Sequence, residues 1–121
     1  MTSPSNAASR TTVTFESTAE LSLEVCENFL LDHLDMPLSR VEQISLDLVS
    51  TAAERLALRP QTYPVCRLAM ELGIGHYQEL LIDGYRVIYR HWPEQHEVAI
   101  YLFAHQRQDF KALLFEYQLS C

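Results

Sequence analysis

The segment from Tyr77 to Asp109 constrains the fold more than any other part of this chain. It holds three apolar-rich runs: Tyr77 to Ile82, Tyr85 to Arg90 and Val98 to Ala104. Each is rich in Ile, Val, Tyr, Leu or Phe, which suit a pleated, half-buried surface. Asp83-Gly84 separates the first two, and Asp-Gly is the strongest short hairpin signal. Pro93 to His96 separates the second and third. The pattern predicts an antiparallel meander, one face of which the rest of the chain must cover.

The preceding residues supply the cover. Residues 1–11 are small and polar and are expected to form a disordered tail, leaving 12–121 as a single domain. Thr12 to Glu16 alternates and reads as a short first strand. Ser17-x-x-Glu20 has the form of a capping box and opens a helix over about 18–34. Leu23, Cys26, Leu30 and Leu34 share one face of it, and Pro37 breaks it. A second box, Ser39-x-x-Glu42, opens a helix to about Leu58, with Val41, Ile44, Leu48, Ala52 and Leu56 at helical spacing. These two helices form a hairpin whose apolar face needs the sheet. Cys66 to Leu72 alternates and reads as a further strand. Asp109 is placed to cap a short last helix, in which Phe110, Leu113, Leu114 and Tyr117 face inward. The expected class is α+β: N-terminal strand, helical hairpin, antiparallel sheet of three to four strands, short C-terminal helix.

At 121 residues the chain is one domain with one modest core. Its net charge is −7, with −5 in residues 1–60 and −2 in 61–121. So acidic a protein is not held to nucleic acid by its overall field, and no direct high-affinity nucleic-acid binding is expected. Eight of the nine basic residues are Arg, the side chain suited to bidentate contacts with carboxylates or phosphates. Cys26, Cys66 and Cys121 are odd in number and widely spaced, so they read as reduced thiols. No His or Cys pair has metal-ligand spacing, and neither metal nor cofactor is expected. With no signal-peptide pattern and no membrane-length apolar run, a soluble cytoplasmic protein is expected.

Strand parity puts Arg86, Ile88 and Arg90 on one face of the second run, with Arg86 and Arg90 about 13 Å apart at about 3.3 Å per residue. A concave face would gather these arginines with Arg107, and with His105 nearby, into a phosphate or carboxylate site. The plainer alternative is that each Arg pairs with a neighbouring acid such as Glu79 or Asp109. His105 is a candidate general acid or base, or a polar bridge at a strand end. There is no Gly-rich phosphate loop and no nucleophile motif.

Two motifs, Gly84-Tyr-Arg-Val-Ile-Tyr-Arg90 and Phe103-Ala-His-Gln-Arg-Gln-Asp109, resemble the RelE/ParE toxin superfamily, as does the order of elements over about 12–118. The second is especially similar to ParE and the plasmid stabilisation proteins. The resemblance implies the toxin of a type II toxin–antitoxin pair, neutralised by a cognate antitoxin protein. ParE-like members inhibit DNA gyrase, and RelE-like members cut messenger RNA on the ribosome. Arg86 and Arg107 match RelE arginines, but the RelE lysine pair falls near Tyr77 and Glu79, and its last-helix tyrosine near Leu113. A carboxylate where a lysine should face phosphate is an electrostatic conflict. The resemblance therefore leans to a ParE-like gyrase inhibitor without chemistry of its own, using Arg86, Arg90, Arg107 and Asp109 as contacts. The alternative is a ribosome-dependent endoribonuclease with His105, Arg107 and Arg86 as catalytic residues. A further alternative, suggested by the acidity, is a non-toxic binding module of the same fold.

Overall fold

The computed structural model describes residues 10–117. The elements run β1 (Thr12–Phe15), α1 (Ser17–His33), α2 (Leu38–Leu58), α3 (Arg67–Glu71), β2 (Gln78–Ile82), β3 (Tyr85–Trp92), β4 (Glu97–His105) and α4 (Phe110–Tyr117). β2, β3 and β4 form the expected meander. At its first turn Asp83 and Gly84 both take positive φ, +48° and +87°, as a type I′ hairpin requires. The sheet order is β1-β4-β3-β2. β1 lies parallel to β4, with Val13 opposite Val98, so the sheet is mixed rather than wholly antiparallel. A parallel neighbour needs a long crossover, which everything from α1 to β3 provides.

The expected tail falls outside the described residues over 1–9, and so does Cys121. Thr11 belongs to the fold: it is buried, and its N–H donates to the Ala57 carbonyl at 2.9 Å. Neither expected capping box forms. Glu16 is the N-cap of α1, because its N–H is already committed to the Ile100 carbonyl (2.9 Å), which starts the helix at Ser17. In α2 the N-cap is Pro37, whose carbonyl accepts the N–H groups of Arg40 and Val41, leaving Ser39 inside the helix.

The expected strand over 66–72 is also corrected. Only Val65 bridges to Gln78, and Cys66 N–H donates to the Tyr77 carbonyl at 2.7 Å. The chain then turns into α3, made of Arg, Leu, Ala, Met and Glu, all good helix formers. Cys66 and Ala69, three apart, face the core, while Met70 is half exposed.

Two apolar clusters sandwich the sheet. On face one, Leu80, Tyr85, Val87, Tyr89, Val98, Ile100 and Phe103 meet Ala19, Cys26 and Leu30 of α1 and Val41, Leu48, Ala52 and Leu56 of α2. On face two, Ile88, Leu102 and Ala104 meet Cys66, Ala69, Ile74 and Tyr77, together with Phe110, Leu113 and Leu114 of α4. A bulge reconciles the two. Ile88 pairs with Leu102 but Tyr89 with Ile100, so Tyr101 is an extra residue in β4. It allows Ile100 and Phe103, three apart, to reach the same face.

β1 covers only the first half of the outer edge of β4, and α1 covers the rest. Thr18 Oγ1 donates to the Tyr101 carbonyl at 2.6 Å. Phe103 N–H donates to Ser22 Oγ at 2.9 Å, and that hydroxyl donates to the Ala19 carbonyl at 3.0 Å. Buried Ser22 thus satisfies a backbone N–H that no strand reaches.

Candidate functional site

The motif residues divide between the two faces. On face two, β-sheet parity places Glu79 and Leu81 of β2 beside Arg86, Ile88 and Arg90 of β3. The Arg86 guanidinium forms a salt bridge with the Glu79 carboxylate. It also lies over the Phe110 ring, 4.6 Å from the centroid, so α4 closes this side of the site. Its Nε is buried without a hydrogen-bond partner. Burial, with Glu79 beside it, raises the Cys66 thiol above its ordinary pKa, so Cys66 is a protonated, packed side chain rather than a nucleophile.

Arg90 makes a second aromatic contact, its guanidinium 4.5 Å from the Tyr77 ring centroid. Tyr77 in turn meets Tyr101 edge-on at 5.1 Å. Gly75 lets the Arg90 side chain pass close to the backbone here. A Cβ at that position would stand 2.8 Å from Arg90 Nη2, and its φ of +139° disfavours any side chain.

His105 opens on the other face. It sits opposite Tyr85 across the β3–β4 ladder, and Arg86 is the next residue along, so Arg86 and His105 point to opposite sides. The expected trio of Arg86, Arg107 and His105 is therefore not gathered. The reason is register: sequence parity orders residues within a strand but does not say which residue of β4 pairs with Arg86. The imidazole packs against Phe29 at 5.6 Å and edge-on to Tyr85 at 5.0 Å. Burial, then the nearby Arg107 charge, lower its pKa below the ordinary histidine value. Its Nδ1 accepts the Arg107 N–H at 3.0 Å, so the ring proton sits on Nε2. The ring lines a cavity of about 360 Å³ with Arg40, Asp47, Thr51, Asp83 and Tyr85. Beside it, burial pushes the Cys26 thiol up to about 12.

Arg107 is exposed in the turn after β4. Asp109 serves the fold, since its Oδ1 accepts the Ala112 N–H at 3.1 Å and caps α4, as expected. The aromatic partners of the arginines, Phe110 and Tyr77, were not anticipated from the sequence. Phe110 carries a signal only as a core position of the last helix. Among the described residues no group of three or more His, Cys, Asp or Glu side chains converges as a metal cage. No helix among them is long and apolar enough to cross a membrane.

The architecture is four mixed strands with a helical hairpin on one face and short helices on the other. It is similar to a chain of the toxin–antitoxin complex RelBE2 from Mycobacterium tuberculosis, with a TM-score of 0.57 and 24% identity, covering 82% of this chain and 94% of that one. The likeness establishes the fold. No family model matches the sequence, and no curated protein does.

Proposed function

We propose that this chain is the toxin-type component of a toxin–antitoxin pair, acts in the cytoplasm by contact with a protein target, and is of the ParE-like kind that inhibits DNA gyrase. The observation that carries the reading is the Arg86–Glu79 salt bridge under Phe110. Phosphoryl chemistry on RNA needs unpaired positive charge around the scissile phosphate. Here the central arginine of the face is neutralised by a carboxylate and covered by an aromatic ring. A protein target needs only an accessible surface, and Arg107 in the turn after β4 supplies an exposed charge for one. The ParE-like ending, Phe103 to Asp109, supports gyrase as that target. The known complex sharing the fold is a toxin–antitoxin assembly, which supports a cognate antitoxin as the neutralising partner.

The test is to induce the chain alone in bacteria and follow bulk protein synthesis, then assay gyrase supercoiling with the purified chain. Continued synthesis with lengthening cells is expected, together with inhibited supercoiling that Arg107→Ala relieves. An immediate collapse of translation, with messenger RNA cut in codon phase, would overturn the reading. One observation favours that second reading, ribosome-dependent cleavage: His105 and Arg107 are adjacent, joined by a hydrogen bond. In that case His105→Ala should abolish the cuts.

A further inference from the structure

One stripe of α2, carrying Arg40, Ile44, Asp47, Leu48 and Thr51, faces the β2–β3 turn across an open cavity of about 360 Å³. Ile44, Leu48 and Ile82 give it an apolar wall, and Tyr85 and His105 close its inner end. Both of these rings are buried, each residue only 8% exposed, and they meet edge-on at 5.0 Å. His105 carries its ring proton on Nε2, and among the described residues no group accepts that proton or pairs with the Tyr85 hydroxyl. Two buried donors therefore end at a cavity, whereas buried donors ordinarily end at a protein acceptor. Arg40, exposed on α2, adds a cation to them. Burial raises the Tyr85 phenol above its ordinary pKa, with Cys26 adding to the rise, and Arg40 opposes it, so the guanidinium acts on that hydroxyl. Among the described residues Arg40 takes part in no ion pair. Two exposed carboxylates, Asp47 and Asp83, also line the cavity. Asp47 follows Arg40 by two turns of helix, about 10 Å at about 1.5 Å per residue.

We infer that this cavity binds a short zwitterionic peptide with free ends and apolar side chains, about two or three residues long. Its terminal carboxylate accepts from His105 Nε2, the Tyr85 hydroxyl and Arg40. Its terminal ammonium lies against Asp47 and Asp83, and its side chains cover Ile44, Leu48 and Ile82. The charge pattern selects this class of ligand. A simple anion satisfies the donors but brings its charge towards two carboxylates. A simple cation leaves the donors empty and meets Arg40. A zwitterion answers both ends, and its length follows from their separation. Extended chain spans at most about 3.3–3.6 Å per residue, so two or three residues match about 10 Å and a single amino acid falls short. An apolar space with a few convergent polar groups is the usual form of a small-ligand site. The inference stands on the cavity, on the face of the sheet opposite the Arg86–Glu79 pair, and is independent of the toxin reading.

Isothermal titration calorimetry of the full-length chain with trileucine, its C-terminal amide and its N-acetyl form tests both ends of the site. Trileucine is expected to bind, and the other two to bind about tenfold or more weakly, since each lacks one charged, hydrogen-bonding end. Arg40→Ala, exposed and so compatible with folding, should weaken trileucine about tenfold and narrow its advantage over the amide, while its advantage over the acetyl form remains. Asp47→Asn should do the opposite. Arg55→Ala, which makes the same change of net charge farther along α2, should leave all three affinities in place. Absence of trileucine binding at millimolar concentration would overturn the inference. Equal binding of the three forms would also do so, by showing an apolar patch that reads no charge. So would leucine alone binding as tightly as trileucine, or an equal loss in Arg40→Ala and Arg55→Ala, which would mean a response to net charge and no site.

Discussion

The two faces of the sheet are covered by different means. Face one lies under two long helices of 17 and 21 residues, and its cluster is almost entirely aliphatic and aromatic. Face two lies under helices of five and eight residues, and polar groups run through its cover. There Arg86 is held by Glu79 and Phe110, and Arg90 lies on Tyr77. Helices this short have little stability of their own and exist only while their apolar faces are packed. Face one therefore acts as the foundation of the molecule. Face two is a lighter cover, one that opens at lower cost, and it carries the arginines.

The sharpest way to break this comparison is to carve the two faces in turn. Phe103→Ala, beneath α1, should cost about 3–5 kcal/mol in urea denaturation. Leu114→Ala, equally buried on face two, should cost about 2 kcal/mol, near the low end for a buried leucine, because α4 can relax into the space. Faster hydrogen exchange of the α4 amides, with those of α1 unchanged, should accompany it. Equal global losses would show one cooperative unit and no division of labour.

A smaller loss, about 1–3 kcal/mol, is expected for Ser22→Ala, which leaves the buried Phe103 N–H without an acceptor. Glu79→Gln on face two should cost less than about 1 kcal/mol, since the pair is partly solvated, with Arg86 33% and Glu79 14% exposed at the side chain. That contrast would show face two tolerating the loss of a charge more easily than face one tolerates the loss of a hydroxyl.

The smallest effect should come from pH. The folded state holds His105 below its ordinary pKa, so as pH falls through that value the unfolded chain takes up a proton before the folded one does. Stability should therefore decline as pH drops below the ordinary histidine range, and level off once the folded imidazole also protonates. A His105→Asn variant should flatten that part of the profile. An unchanged profile would place the titration elsewhere, with His91, also lowered by burial and by His96, as the next group to replace.

The parts of this molecule governed by local chemistry were legible in the sequence. Asp83-Gly84 names its own turn, Asp109 its own cap, and the helical spacing of Val41 to Leu56 its own buried face. Glu79 as a partner for Arg86 was also readable, since two alternating strands joined by a two-residue turn bring those positions close on one face. Long-range choices were not readable. The alternation from Cys66 to Leu72 fits a strand as well as a helix, and only the departure of the chain from β2 after Val65 decides it. The parallel docking of β1 depends on the edge of β4, nearly the whole chain away. The placement of His105 opposite Tyr85 needs the β3–β4 register, which the irregular connection through Pro93 and His96 leaves open.

The way α1 meets β4 has a consequence for how this molecule behaves in a crowd. A bare sheet margin is a template on which other chains can crystallise in register, and natural proteins guard against it. Here the guard consists of two hydroxyls, Thr18 and Ser22, that occupy the carbonyl of Tyr101 and the amide of Phe103. They act past the end of the four-residue β1, where no strand reaches that flank. Two small side chains on a helix thus stand in for part of a missing strand. Their joint removal should show as self-association on storage, beyond the loss of stability expected for Ser22→Ala alone.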